Sequence, residues 1–233
     1  KVPHDYNPVG SYKRTFSIDK SWNNKEVFLH IGAMKSGGFV WINGKYVGYS
    51  QGSKLPAEFN ISNYLRKEKN TIAIQIYRWT DGSYLECQDF WRISGIERDV
   101  YLYAQPKTRI KDLEISSLLD KTYKNGVLDV DVEFENHNND DKELTVTYKL
   151  INNTNKLIDT QNRTVTIHKN SLKTINFSKT IKNINPWSAE HPNLYKLIVT
   201  IKDKGKILET TSNDIGFRTV EIKKGLLYVN NQI

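Results

Sequence analysis

The sequence predicts an all-β protein made of two consecutive β-sandwiches. Short segments of alternating apolar and polar residues recur along the chain, and Asn, Gly and Pro residues that favour turns separate them. The character of these segments changes near Gln105–Pro106, where aromatic residues become rarer. The 233 residues also exceed the usual size of one domain, which is roughly 100–150 residues. Two domains are therefore expected, divided close to residue 105.

The first half begins with an extended segment and a one-faced strand. Pro3 and Pro8 disfavour a helix at the start. Residues 12–18 then alternate, so one face of this strand is expected to be buried. That face consists of Tyr12, Arg14, Phe16 and Ile18. Further strands are predicted over residues 26–31, 70–77 and 99–103.

Asn43-Gly44 predicts a β-hairpin, because this dipeptide between two apolar runs favours a two-residue type I′ turn. Both faces of the hairpin are largely apolar, which predicts a structural, buried role for Trp41. The expected cross-strand pairs are Trp41 with Tyr46 and Val40 with Val47.

The second half predicts an immunoglobulin-like sandwich. Residues 128–134 and 144–150 alternate strictly between apolar and polar side chains, and residues 195–201 do so except at Ile198. Asn, Asp and Lys residues separate such strands. The single cysteine, Cys87, excludes an internal disulfide.

Residues 78–100 stand apart from the strands. They read RWTDGSYLECQDFWRISGIERDV, with aromatic side chains interspersed among carboxylates and arginines. Rings can cover the apolar face of a sugar while charged groups bind its hydroxyls. An irregular loop held by its own Arg–carboxylate pairs would have the same composition. Composition alone leaves both interpretations open.

Five collinear motifs resemble the large β-galactosidases of glycoside hydrolase family 2. The longest resemblance covers residues 81–100. The other four motifs are Asn7–Tyr12, Trp41–Tyr49, Pro186–Tyr195 and Asp214–Arg218.

The resemblance implies a domain organisation. Residues 1–105 are expected to form a jelly-roll, galactose-binding-like β-sandwich that is incomplete at its N-terminus. Residues 106–221 are expected to form the immunoglobulin-like sandwich, and residues 222–233 to lead into a catalytic (β/α)₈ barrel outside this chain. The implied substrates of the longer protein are terminal β-D-galactosides.

The resemblance also decides where the catalytic groups are expected. A retaining glycosidase needs two carboxylates about 5–5.5 Å apart. Glu86 with Asp89 and Glu97 with Asp99 are candidates by sequence. In the family, however, the catalytic glutamates lie in the barrel, and the motifs around them have no match here. This chain is therefore expected to contain no catalytic residue and to be inactive alone.

Asp89, Trp91 and Arg92 are the expected substrate-binding residues. By resemblance, Asp89 helps to bind a monovalent cation, Na⁺, and a galactosyl hydroxyl, with the remaining ligands supplied by the barrel. Mg²⁺ is also implied for the full-length enzyme, whereas this chain alone is expected to bind no cofactor. Cys87 occupies a position that is acidic in much of the family, and a packed thiol is expected there.

Residues 159–173 form a shorter, glycine-free version of a loop that some tetrameric relatives share between subunits. The resemblance allows a homo-oligomer of the longer protein, but the shorter loop departs from the pattern needed for this mode of sharing.

Charge and hydropathy favour neither nucleic acid nor membrane as a partner. The formal charge is +8, yet the lysines are scattered among acidic residues and no arginine-rich motif occurs. No apolar run approaches the ~20 residues that span a bilayer. The five histidines show no metal-binding spacing. The compartment, bacterial cytoplasm or periplasm, stays open.

The alternative hypothesis is a free-standing carbohydrate-binding module on an immunoglobulin-like stalk. Residues 217–233 distinguish this module from part of a longer enzyme, because a stalk does not need a strand pair that ends in a turn. Barrel strands in the sequence that follows would decide between the two.

Overall fold

The computed structural model describes residues 2–86, 89 and 91–233. It divides into two compact units, Lys1–Pro106 and Lys107–Ile233. Strands make up nearly all of the regular structure, and they form a jelly-roll sandwich followed by an immunoglobulin-like sandwich. The predicted fold class is confirmed. Among the described residues, no helix has the length and apolar character needed to cross a membrane.

The first unit contains two main sheets, ordered β1-β7-β4-β5 and β6-β2-β9, and a short pair, β3-β8. A four-residue helix, α1 (Gly82–Leu85), and two single 3₁₀ turns, Lys20–Trp22 and Ser62–Tyr64, complete it. The strands are β1 (Val9–Ser17), β2 (Lys25–Ile31), β3 (Met34–Lys35), β4 (Gly37–Ile42), β5 (Lys45–Gln51), β6 (Ala57–Asn60), β7 (Lys69–Tyr77), β8 (Gly95–Ile96) and β9 (Val100–Pro106).

The hairpin of β4 and β5 turns at the predicted dipeptide. Asn43 and Gly44 have φ angles of 53° and 78°, and a type I′ turn requires both to be positive. Trp41 pairs with Tyr46, as predicted, but Val40 pairs with Gly48. The prediction that Val40 opposes Val47 was wrong because a bulge between Val40 and Trp41 shifts the register.

The hairpin is buried on one face, not on both. Val40 and Ile42 are completely buried in the core. Trp41 lies on the opposite face, where its ring centroid is 6.0 Å from that of Phe39 and 6.0 Å from that of Tyr46. Trp41 is only half-buried, so its predicted place in the interior was wrong. It belongs to an aromatic cluster on the outside of the sheet.

Strand β1 also departs from its prediction. Tyr12 is 42% exposed, Arg14 is exposed, and only Phe16 and Ile18 are half-buried. Among the described residues, β1 is an edge strand of its sheet and pairs only with β7. Its apolar face borders a groove of about 600 Å³, whose lining includes β1, β9, Ile72, Ile74 and Ile96.

The second unit has the one-faced strands that the sequence predicts. Its sheets are ordered β10-β11-β14 and β13-β12-β15-β16, with a separate ribbon of β17 and β18. The apolar positions of residues 128–134 and 144–150 are buried in the core between them. The strands are β10 (Thr108–Leu119), β11 (Gly126–Asn136), β12 (Lys142–Ile151), β13 (Leu157–Ile167), β14 (Ser171–Ile181), β15 (Tyr195–Asp203), β16 (Lys206–Ile215), β17 (Val220–Lys223) and β18 (Leu226–Val229).

Replacing Trp41 with Ala should lower the free energy of unfolding of the first unit by about 1–3 kcal/mol, since two aromatic pairs are lost, each worth ~0.5–1.5 kcal/mol. Trp91→Ala is the matched control, because its side chain is exposed and surface substitutions usually stay within ~0.5 kcal/mol. Denaturant unfolding measures both. Equal losses from the two variants would contradict the assigned role of Trp41.

Candidate functional site

Residues 78–98 form much of the wall of a cavity of about 750 Å³ in the first unit. This segment connects the end of β7 to the start of β9 and contains only α1 and β8 as regular structure among its described residues. The cavity is lined by Lys35, Gly52, Ser53, Lys54, Leu55, Arg78, Trp79, Ser83, Leu85, Glu86, Arg92, Ile93, Ser94, Glu97 and Arg98.

The start of the segment is fastened to the N-terminal part of the chain. The Asn7 side chain donates to the Trp79 carbonyl at 2.9 Å and accepts from the Trp79 amide at 3.0 Å. The Arg78 guanidinium lies 5.2 Å from the centroid of the Trp79 ring. The Tyr84 ring stacks on Trp79 at 6.2 Å. Trp79 is therefore held by its backbone and by its ring.

A chain of polar contacts connects the end of β5 to the start of α1. The Tyr49 hydroxyl donates to Gln51 at 2.5 Å, and the Gln51 amide donates to Asp81. Asp81 also accepts from the Gly82 amide at 3.0 Å. Partial burial raises the pKa of Tyr49, and the negative charges of Asp81 and Glu86 raise it further. The Tyr49 hydroxyl is thus kept protonated as a donor.

The β5–β6 loop (residues 52–56) contacts the segment at two further points. The Glu86 carboxylate accepts from the Ser53 amide at 2.9 Å. Lys54 forms an ion pair with Glu97, and Arg98 donates to the Lys54 carbonyl at 3.2 Å. Both ends of residues 86–98 are therefore tied to adjacent positions of one loop.

The three predicted site residues lie between these ties. Asp89 and Arg92 are exposed, and Trp91 is 78% exposed. Arg92 lines the cavity, whereas Asp89 and Trp91 do not. The Lys35 ammonium donates to the Trp91 carbonyl at 3.3 Å. The packed thiol predicted for Cys87 lies outside the described residues.

The two glutamates of the candidate catalytic pairs have other partners. Glu86 accepts from the Ser53 amide, and Glu97 pairs with Lys54. The Asp99 carbonyl accepts from the Gly32 amide at 3.0 Å, which ties the end of the segment to the residue after β2. These contacts give Glu86 and Glu97 a role in holding the loop.

Two buried polar atoms at the cavity have no hydrogen-bond partner within the described part of the chain: Ser53 Oγ and Glu97 Oε1. A buried acceptor left unpaired costs about 1–3 kcal/mol. Both atoms belong to residues that already connect the loops through other atoms. The connection between the loops is thus maintained despite this cost.

The described residues contain no group of three or more His, Cys, Asp or Glu side chains that could hold a metal ion. A carboxylate such as Asp89 suits a hard cation as a single oxygen ligand. The exposed Asp89 carboxylate could therefore supply one oxygen ligand to such a cation.

Sequence analysis did not identify Asn7, Ser53 or Lys54 as site residues. Asn7 begins the first resembling motif, and Ser53 and Lys54 closely follow the hairpin motif that ends at Tyr49. The signal in the sequence that could have identified these three residues was their position at or next to a resembling motif. The contacts themselves join residues as far apart as 72 positions.

Comparison with known families identifies the class of protein. The model described as "Glycosyl hydrolases family 2, sugar binding domain" matches residues 1–106. The model described as "Glycosyl hydrolases family 2" matches residues 108–218. Together they cover nearly the whole chain, so the chain belongs to glycosyl hydrolase family 2.

Curated relatives are named β-galactosidases. The chain is 43% identical over 234 residues to that of Priestia megaterium, covering 99% of this chain and 22% of the relative. It is 36% identical over 238 residues to that of Clostridium acetobutylicum, covering 97% and 25%. The chain thus spans about a quarter or less of the length of these relatives.

Solved structures support the fold. A β-glucuronidase of Bacteroides uniformis superposes with a TM-score of 0.87 at 22% identity, over 97% of this chain and 28% of that one. A β-glycosidase of Bacteroides vulgatus superposes with a TM-score of 0.77 at 26% identity, over 96% and 28%. Both comparisons therefore support the all-β fold of the chain.

Replacing Asn7 with Ala should speed hydrogen exchange at the Trp79 amide by roughly tenfold or more, since the bond to Asn7 Oδ1 is lost and a hydrogen bond is worth ~1 kcal/mol or more. Asn7→Asp keeps this acceptor and loses only the donor to the Trp79 carbonyl, so exchange at Trp79 should stay close to that of the original chain. Mass spectrometry or NMR measures this exchange. Equal acceleration in both variants would contradict the assignment.

Proposed function

We propose that this chain is the non-catalytic part of a retaining β-galactosidase that hydrolyses terminal β-D-galactosides. The observation that carries the proposal is the 43% identity to a named β-galactosidase over 99% of the chain. The five motifs that resemble this class are spread over both units, from Asn7–Tyr12 to Asp214–Arg218.

The first unit forms one wall of the active site in this proposal. Asp89 and Trp91 are exposed on a segment whose two ends are held by the β5–β6 loop. An exposed Trp beside a carboxylate and an arginine suits a sugar, since the ring covers C–H groups and the polar groups bind hydroxyls. Asp89, Trp91 and Arg92 are accordingly the substrate-binding residues.

The second unit braces the catalytic barrel of the longer protein. The β17–β18 ribbon at residues 220–229 exposes Ile222 and Leu227. Apolar side chains grouped on one ribbon favour contact with another surface. This supports the prediction that residues 222–233 lead into the barrel.

The reaction requires an acid/base carboxylate and a nucleophilic carboxylate. Glu86 and Glu97 hold the loop, and the resemblance to the family implies that both catalytic carboxylates come from the barrel. Asp89 would hold Na⁺ together with oxygen ligands from that domain, and the cation would help to orient a galactosyl hydroxyl. Mg²⁺ is the second cation of the full-length enzyme, and no described residue is assigned to it.

The second candidate is the carbohydrate-binding module on a stalk. The exposed aromatic and polar side chains of the segment favour it to the same extent. The two functions differ in the affinity that the chain has alone, since a module must bind sugar without a barrel.

Purified chain should leave nitrophenyl β-galactoside unhydrolysed at high protein concentration, because the two carboxylates of the retaining mechanism are not provided. Glu86→Gln and Asp89→Asn are the control variants. Hydrolysis that persists through purification and disappears in either variant would contradict the proposal.

Titration of the chain with galactose and lactose should give a Kd above about 1 mM, which corresponds to a binding free energy of less than ~4 kcal/mol. One wall supplies only part of the contacts of a small sugar, which has little affinity to lose. Calorimetry or NMR measures this binding. Saturable, tighter binding that Asp89→Ala abolishes would favour the module.

A further inference from the structure

We propose that the β5–β6 loop positions Asp89, with Glu86 and Lys54 as positioning residues. This inference rests on the proposed function of Asp89 in sugar binding. It assigns to the loop a role that neither the motifs nor the family comparisons state. The argument depends on two ties that enclose the Asp89 segment and end on neighbouring residues.

The first tie precedes Asp89. Glu86 accepts from the Ser53 amide at 2.9 Å, and its own amide donates to the Gly82 carbonyl at 2.8 Å, closing the end of α1. Ser53 is only 2% exposed, so the anchor lies in a packed part of the unit. A hydrogen bond to a charged acceptor is about twice as strong as a neutral one.

The second tie follows Asp89. The Glu97 side chain is 12% exposed and pairs with Lys54, which is 40% exposed. Arg98 donates to the Lys54 carbonyl at 3.2 Å, so the same residue is held through its backbone. Removing the Lys54 charge would leave the Glu97 carboxylate buried without its cation, which is strongly unfavourable.

Ser53 and Lys54 are consecutive residues, so the two ties connect both ends of the Asp89 segment to the same place in the β5–β6 loop. Residues 86–97 are held at both ends from a single place, and the Lys35 contact to the Trp91 carbonyl supports the middle. β8 is the regular structure between the ties in the described part of the segment. These contacts, more than sheet pairing, hold the described residues before and after Asp89.

Hydrogen exchange of the 233-residue chain tests the ties directly. Glu86→Ala and Lys54→Met should each speed exchange of peptides within residues 91–95 by roughly tenfold or more, since hydrogen bonds to charged groups are lost. Glu86→Gln retains an acceptor and Lys54→Arg retains the charge, so both should restore slow exchange. Lys196→Met is the matched control, because it removes a 2.7 Å ion pair with Asp214 in the second unit. Unchanged exchange in both Glu86→Ala and Lys54→Met would overturn the proposal.

The enzyme that contains this chain gives the functional readout. Glu86→Ala and Lys54→Met should lower kcat/KM roughly tenfold or more, since small misplacements of binding groups cost up to ~10²-fold. In an Asp89→Asn background, the same substitutions should cause no further loss, because they act through Asp89. A merely structural role would lower activity equally in both backgrounds, and that result would overturn the inference.

The outcomes separate the inference from the proposed function. If Asp89→Asn leaves kcat/KM unchanged, the role of Asp89 in binding fails, while the exchange experiment still decides whether the loop is held. If Asp89→Asn lowers kcat/KM and neither tie variant does, the positioning role fails and the proposed function stands.

Discussion

The first unit depends on the type I′ turn at Asn43–Gly44. The Asn43 side chain donates to the Tyr64 carbonyl at 2.9 Å and to Asn70 at 2.8 Å, and accepts from the Thr71 amide at 3.0 Å. Its backbone amide donates to the Thr71 carbonyl at 2.8 Å. One residue therefore closes the β4–β5 hairpin and fixes that hairpin to the start of β7. Because β5 leads into the β5–β6 loop and β7 leads into residues 78–98, the same turn sets where the two loops of the candidate site begin.

Local sequence patterns predicted the strands but not how each face is covered. The turn was predictable because few dipeptides tolerate two positive φ angles. The bulge between Val40 and Trp41 was not, since it changes pairing without changing the apolar pattern. The alternation of apolar and polar residues likewise shows which side chains share a face of β1, but it does not show whether another strand covers that face. Tyr12 is exposed because β1 is an edge strand.

In the candidate site, too, local sequence patterns were predictable whereas contacts between distant residues were not. Composition left open whether residues 78–100 were a sugar-binding segment or a loop held by internal Arg–carboxylate pairs. In the structure, Glu86 and Glu97 instead contact the β5–β6 loop outside the segment. The ties through Glu86 and Glu97 join residues 33 and 43 positions apart, and no local period encodes such contacts. Glu86 and Glu97 therefore looked like catalytic candidates in the sequence, whereas the structure shows them as acceptors that hold the segment.

The proposed sharing of a site between domains would account for the distribution of exposure around Asp89. A self-contained binding site usually buries most of its ligand in a preformed pocket. Here the buried groups, Ser53 and Glu97, serve the attachment of the segment, while Asp89 and Trp91 face outward. Fixing an exposed side chain lowers the conformational entropy that later binding must overcome. A held but exposed carboxylate would suit ligands that another domain presents, and the ties of Glu86 and Glu97 to the β5–β6 loop hold the residues before and after it.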